Sequence, residues 1–237
     1  MNVYPVNAFE GASLKSPQKE TYSMMQDLHN RYLAFTVDFS QRVAQIDGEW
    51  ASTIEADSFI IANTNSHSGH LILTAHGFPI YQRHFETNDF INIIDLEGTH
   101  SFNGIRLNLY GNENIQVGLL YIGKKCALPR FVTFPEKTLG LRNESGRTFT
   151  GQATGIPVET LRSFAASFVR IPNDEVKIVD EYINGVQKII PHVVDIYPGA
   201  HAEFPPMFMT VAEYTGKEKR AENGFFWNFD LAWMEAR

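Results

Sequence analysis

Along most of this chain apolar and polar positions alternate with a period of two, the signature of half-buried strands. Ser58–Asn63 is a short apolar run and reads as a buried strand. Leu71, Leu73 and Ala75 alternate with Ile72, Thr74 and His76, and Gly77 ends that strand. Ile80–Phe85 and Phe90–Ile94 follow. In Gly104–Gly111, Ile105, Leu107 and Leu109 face one way while Arg106, Asn108 and Tyr110 face the other. Ile115–Gly123 closes the set. Between the first two strands lies a loop, Asn63–Gly69, rich in Asn, Ser, Thr and Gly. Strands at this spacing without a long helix between them predict an antiparallel sandwich or jelly roll over residues 50–125.

Two stretches change period. Ser16 followed by Pro17 reads as a helix start, and Tyr22, Met25, Leu28 or His29, and Tyr32 recur at helical spacing to about Arg31. A short strand, Leu33–Phe39, follows. Residues 1–49 thus read as an N-terminal arm that either covers the main domain or reaches a neighbouring subunit. The second helical stretch starts at Asn173–Asp174, with Val176, Val179, Tyr182, Ile183 and Val186 on one stripe. Acidic residues stand early in it, Lys188 stands near its end, and Pro191 stops it. Around it lie glycine-punctuated short strands (Gly140, Gly146, Gly151, Gly155) and Thr160–Val169, which fits a strand or a short helix. Val193–Tyr197, Met207–Tyr214 and Phe225–Glu235 close the chain as strands. In the last, Phe225, Trp227, Phe229, Leu231 and Trp233 share a face that reads either as core or as a subunit contact. The fold class is therefore mainly β (α+β): an antiparallel sandwich, then a second β-rich domain, 126–237, with one amphipathic helix.

Composition sharpens this. The 237 residues carry 20 Lys and Arg against 27 Asp and Glu, a formal charge of −7, which argues against a general nucleic-acid binder. Aromatics make up 13% of the chain, with 18 Phe, and charged residues only 20%. That balance belongs to a packed chain with much surface to cover, not to a disordered one. One cysteine, Cys126, excludes an intramolecular disulfide and a cysteine-based zinc cluster. No signal peptide or membrane-spanning run is read from the sequence, so the expectation is a soluble product with Cys126 reduced.

Candidate chemistry is sparse. His67, His70 and His76 lie close in sequence, with His84 and His100 beyond. A strand would separate His70 from His76 by roughly 20 Å, too far for one metal. Cys126 follows Lys124 and Lys125, which would lower its pKa, but no histidine is near. Asn112–Glu113–Asn114 reads as a turn, not a calcium loop. Asp89, Asp95 and Glu97 could serve as glycosidase carboxylates, yet any β protein offers such pairs. No nucleophile elbow, zinc-protease or phosphate-loop motif is present. The expectation is no catalytic, cofactor or metal residue and no enzyme.

Two stretches carry a resemblance. Residues 54–125, through Ala56–Asn65, Gly104–Leu107 and Gln116–Lys124, resemble the galactose-binding-like, discoidin-type jelly roll of phage tail proteins. Residues 126–237 resemble the C-terminal part of such proteins, in the order Ser145–Gln152, Thr160–Phe164, a helix, Pro205–Met209 and the Trp-containing strand Phe229–Glu235. The resemblance implies a distal-tail or baseplate-type virion protein, made in the host cytoplasm. It would form a ring-like homo-oligomer that joins the tail tube to fibre, hub or receptor-binding proteins, with no nucleic-acid or membrane partner. The jelly roll also implies a second reading, a module recognising a host surface glycan through loops such as Asn63–Gly69, although that loop carries no aromatic.

Overall fold

A computed structural model describes residues 1–17, 37–39, 41–88, 90–131, 138–147, 153–186, 190–203, 205–220 and 226–236. The expected helix from Pro17 to about Arg31 falls outside these residues, apart from Pro17 itself. The strands are β1 (Asn2–Tyr4), β2 (Ser13–Lys15), β3 (Val37–Asp38), β4 (Val43–Thr64), β5 (Ser68–Ala75), β6 (Phe78–Glu86), β7 (Ile91–Tyr110), β8 (Gln116–Gly123), β9 (Cys126–Ala127), β10 (Thr138–Arg147) and β11 (Ala153–Pro172). After the helix α1 (Asn173–Val186) come β12 (His192–Asp195), β13 (Met207–Arg220) and β14 (Phe226–Glu235). The contacts divide the chain into two compact units, residues 2–126 with 195–206, and residues 127–194 with 207–236.

The first unit is built on one two-stranded ribbon. β4 and β7 pair antiparallel from Val43↔Tyr110 to Ala62↔Ile91. Near the middle the register slips: Glu49 pairs with Gly104 and Ile54 with Phe102, so residues 50–53 of β4 face only Asn103. Such a bulge bends and twists the strand that carries it. Here it folds the ribbon over, so each strand serves two layers. One layer is β6-β5-β7-β4-β2, using the 104–110 and 43–49 halves. The other is β7-β4-β8-β3, using the 91–102 and 54–64 halves. Between them lie Ala44, Ile46, Phe59, Ile61, Leu71, Leu73, Leu107, Leu109, Val117 and Leu120, all within one buried cluster.

The bend is pinned by Trp50. Its indole N–H donates to the Ala8 carbonyl at 2.7 Å, and its ring meets Phe102 edge-on at 5.6 Å and Phe9 at 5.6 Å. Phe9 lies in a 3-10 turn, Ala8–Gly11, capped by Asn7. The Asn7 amide also bridges to the Leu120 carbonyl and the Ile122 N–H of β8. Residues 1–17, read from the sequence as part of an arm, therefore supply Phe9 and Leu14 to the sandwich core. Their strands run three residues, too short for a period to register.

In the second unit the strands run β10-β11-β14-β13-β12. Thr160–Val169, open between strand and helix in the sequence, belongs to the strand β11. Cross-strand partners stack their rings: Phe164 on Trp233 at 4.4 Å, and Phe168 on Phe229 at 4.7 Å. Each such pair contributes about 0.5–1.5 kcal/mol beyond its buried area. α1 lies as its periodicity predicts, with Val176, Val179, Tyr182 and Val186 buried. It is bonded to the sheet by a buried chain: Trp233 Nε1 to Tyr182 Oη at 2.8 Å, Tyr182 Oη to His192 Nε2 at 2.6 Å, and His192 Nδ1 to the Ile190 carbonyl at 2.9 Å. Phe229, Leu231 and Trp233 of β14 are buried, so that face is core, while Phe226 and Met234 of the opposite face are exposed. Phe225 lies outside the described residues.

Tight packing in the first unit generates a test. Gly69 of β5 sits opposite Phe85 of β6, and a methyl group built at Gly69 would strike the Phe85 ring. Gly69→Ala is expected to cost about 1–3 kcal/mol in urea unfolding, the range for overpacking a filled core. Gly69→Ala with Phe85→Leu is expected to regain part of that loss.

Candidate functional site

The hairpin β5–β6 turns through His76 and Gly77, whose φ angles are +50° and +85°. Two successive left-handed residues are what a two-residue hairpin requires. The His76 N–H donates to the Asn103 side chain at 2.9 Å. Close to the turn Thr74 pairs with Pro79, but Leu73 pairs with Tyr81, so one residue, Ile80, is inserted. Proline has no N–H to give to a ladder, and it sits where the pairing breaks. The inserted residue moves every later pair by one. As a result His70 faces His84, and their rings stack at 3.9 Å with an interplanar angle of 6°.

That register continues across the sheet. Gln45 of β4, Asn108 of β7, His70 of β5 and His84 of β6 form one row, and Asp47, Arg106, Ile72 and Gln82 form the next. Their neighbours along each strand, among them Ile46, Leu107, Leu71 and Phe85, point into the core. The rows therefore lie on the outer face. Asp47 holds two of them in place: one oxygen accepts from Arg106 Nε at 2.7 Å and the other from Gln45 Nε2 at 2.8 Å. Beside the second row is a cleft of about 450 Å³ whose lining includes Gly48, Gly104, Thr74, Pro79 and the Asp47–Arg106 pair. A side chain at Gly104 would strike Thr74, so the glycine is what keeps this part of the face low. Tyr110, 41% exposed, stands in a third row with Val43, Ser68 and Glu86.

Amide, imidazole, guanidinium and carboxylate groups fixed on a sheet offer donors and acceptors in a plane. A hydroxyl is both donor and acceptor, so a polyhydroxylated ligand matches such a face. Tyr110 and Ile72 offer apolar surface beside it.

The histidines divide accordingly. His70 and His84 come together, while His76 is in the turn, His67 is exposed in a loop, and His100 packs on Tyr81 with its Nε2 on the Leu96 carbonyl at 2.8 Å. Among the described residues no group of three or more His, Cys, Asp or Glu could hold a metal. The carboxylates Asp95 and Glu97 are engaged in ion pairs. Asp95 pairs with Lys125 at 2.7 Å and Glu97 with Arg83 at 2.8 Å. The Lys125 hydrogen bond holds the Asp95 carboxyl below its usual range. A general acid needs the opposite shift. Asp89 lies outside the described residues. Cys126 is half-buried.

The loop expected at 63–69 is shorter, because β4 continues to Thr64 and β5 begins at Ser68. Asn65 uses its amide to hold neighbours, donating to the Asn114 carbonyl at 2.9 Å and accepting from the Gln116 N–H at 2.8 Å. The aromatics that this loop lacks are supplied by the residue just before β7 and by its last residue. The Asn63 N–H reaches the Phe90 carbonyl, and the His67 N–H the Tyr110 carbonyl, both at 2.8 Å. Phe90 is 59% exposed. No helix among the described residues is long and apolar enough to cross a membrane.

No protein-family model matches this chain, and no curated protein matches it. Solved structures similar to it include CpGH89CBM32-6 produced by Clostridium perfringens, at 12% identity over 49% of this chain and 98% of that one, with a TM-score of 0.41. A fucose-binding module of Streptococcus pneumoniae, SpX-3, shows 13% identity over 49% of this chain and 96% of its own, with a TM-score of 0.41. The family 32 carbohydrate-binding module of Streptococcus pneumoniae EndoD shows 12% identity over 50% and 99%, with a TM-score of 0.43. The mainly antiparallel β architecture rests on the strand pairing described above.

The stacked pair makes a pH prediction. Burial first, and the His84 ring second, push the His70 imidazole below its ordinary value. The unfolded chain then binds a proton that the folded chain resists, so stability falls as pH drops from about 6.5 into the window below. Between about pH 7.5 and pH 5 the parent chain is expected to lose more urea stability than His70→Gln. Equal losses would show that the pair does not titrate in this way.

Proposed function

We propose that this chain works by binding rather than catalysis, and that its first unit binds glycan on the outer face of β4, β7, β5 and β6. The observation that carries this reading is the row Gln45, Asn108, His70 and His84, set beside the Asp47–Arg106 pair and the cleft at Gly104. The acceptors and donors are held by the sheet before any ligand arrives, which lowers the ordering cost of binding. Tyr110 supplies a ring for the apolar face of a sugar. The ion-paired carboxylates Asp95 and Glu97 give no support to hydrolysis.

A glycan array tests this. It should include fucosylated glycans and GalNAc-β-1,3-galactose, the ligands named for two of the similar structures. Binding is expected at about millimolar affinity or better, weakened at least about tenfold by Arg106→Ala and by Asn108→Ala. Phe226→Ser in the second unit is expected to leave it unchanged. No retained glycan, or binding indifferent to Arg106, would overturn the reading.

One observation favours the tail-protein reading as a second possibility. Phe226, Met234, Val169 and Ile178 of the second unit are all more than a third exposed. Large apolar side chains left at a surface mark contacts with other proteins. On this reading the chain is a ring-type adaptor in a virion tail, joined to itself and to tube, fibre or hub proteins. Light scattering is expected to find a closed oligomer. A monomer at every concentration, with no incorporation into particles, would count against it.

A further inference from the structure

The outer face proposed to bind glycan is longer than any one sugar. Along β7 it carries Tyr110, Asn108, Arg106 and Gly104 in turn, and each stands in a row that crosses the sheet. The row at Gly104 joins Glu49 of β4, Thr74 of β5 and Pro79 of β6. Rows lie two residues apart, roughly 7 Å, so the face from Tyr110 to Gly104 runs for about 20 Å. A pyranose ring is about as wide as the gap between neighbouring rows. The face is also open along its length. Tyr110 and Val43 are exposed at one end, and at the other the side chains of Lys15 and Glu49 are 65% and 70% exposed. A site for a single terminal sugar encloses it, because small-ligand pockets cover most of the ligand's surface.

Stacking surface and hydrogen-bonding groups recur along this length. The first row has Val43 and Tyr110, the third has Ile72, and the fourth has Pro79, which lines the cleft. The second row, Gln45, Asn108, His70 and His84, is polar throughout. The charges of the cleft are matched in place. Asp47 holds Arg106 at 2.7 Å, and Glu49 stands 3.7 Å from Lys15. An anionic sugar would meet each cation beside an acid already there, and like charges set side by side cost binding. A neutral sugar meets no such penalty.

We infer that this face binds an internal stretch of a neutral glycan chain, about four sugars laid along the strands, and not the terminal sugar of a branch. The inference rests on the glycan reading of the first unit and names the class of ligand for it. One sugar stacks on Tyr110, and another lies against Ile72 and Pro79. Their hydroxyls bond to the Asn108 amide and to the terminal nitrogens of Arg106. The missing side chain at Gly104 lets the chain pass over the last row.

The test is affinity electrophoresis of the intact chain through gels holding neutral polymers (galactan, xylan, galactomannan, xyloglucan) or anionic ones (polygalacturonate, heparin). Calorimetry follows, with oligosaccharides of the polymer that retards the chain most. A neutral polymer is expected to retard it more than either anionic one. Affinity should rise at least about tenfold from the disaccharide to the tetrasaccharide and change little beyond. Tyr110→Ala and Ile72→Ala, at separate points of the face, should each weaken the hexasaccharide at least about fivefold, while Phe226→Ser leaves it unchanged. Tyr110 is exposed, so its variant should melt close to the parent, which separates lost stacking from lost folding. A monosaccharide held as tightly as its hexamer would overturn the inference and leave the glycan reading standing. So would stronger retardation by the anionic polymers, binding indifferent to both variants, or glycans bound on an array with none of the polymers retained. An array that retains no glycan at all would overturn the reading beneath it, and the inference with it.

Discussion

The first unit depends on a single constraint: β4 and β7 are paired along their length and folded together at residues 50–53. Each strand contributes to both layers, so neither layer exists without the other. The inner faces of the two halves then meet as one core, with Phe59 and Ile61 from one half and Ala44 and Ile46 from the other. Trp50 occupies the fold itself, bonded to the Ala8 carbonyl and enclosed by Phe9 and Phe102. The same fold brings the two ends of β7 to one end of the sandwich, which is why Phe90 and Tyr110 both stand beside the loop after β4.

Small irregularities decide where side chains meet. Had the hairpin β5–β6 kept its pairing from Ala75↔Phe78 outward, His70 would oppose Arg83. The inserted Ile80 makes the partner His84 and sends Arg83 inward, toward Glu97 and the Asp95 carbonyl. The bulge at Val169–Arg170 has the same character in the second unit, turning a guanidinium out of a strand whose neighbours are stacked aromatics. The surface proposed for the first unit thus stands next to a break in an otherwise regular ladder, as binding sites near strand bulges often do.

Much of the architecture was legible from period alone. The alternation in Gly104–Gly111 named the buried Ile105, Leu107 and Leu109 and the outer Arg106, Asn108 and Tyr110, and the stripe on α1 named its four buried residues together with Ile183, which is half-buried. What the period could not show was length and partnership. Val43–Thr64 is one strand, but Trp50–Thr53 interrupts its alternation, so only the end near Ser58–Asn63 was recognisable. The outer face was invisible because its rows join residues of four strands, Gln45, Asn108, His70 and His84. His76–Gly77 was the available clue to the hairpin, but a residue count from that turn gives the wrong partner until the insertion of Ile80 is known. The carboxylates Asp95 and Glu97 were near one another in sequence as noted, yet their partners come from elsewhere, Lys125 from the link between β8 and β9 and Arg83 from β6.

The hydrogen-bond chain beneath α1 has a direction. An indole N–H can only donate and a carbonyl can only accept, so the two outer bonds, at Trp233 and at Ile190, run one way. Tyr182 Oη accepts from the indole and shares a hydrogen bond with His192 Nε2, and the His192 Nδ1–H donates to the carbonyl. The phenol thus stands between helix and sheet as the shared partner of two buried groups, and its removal would strip both the indole and the imidazole of a bond at once.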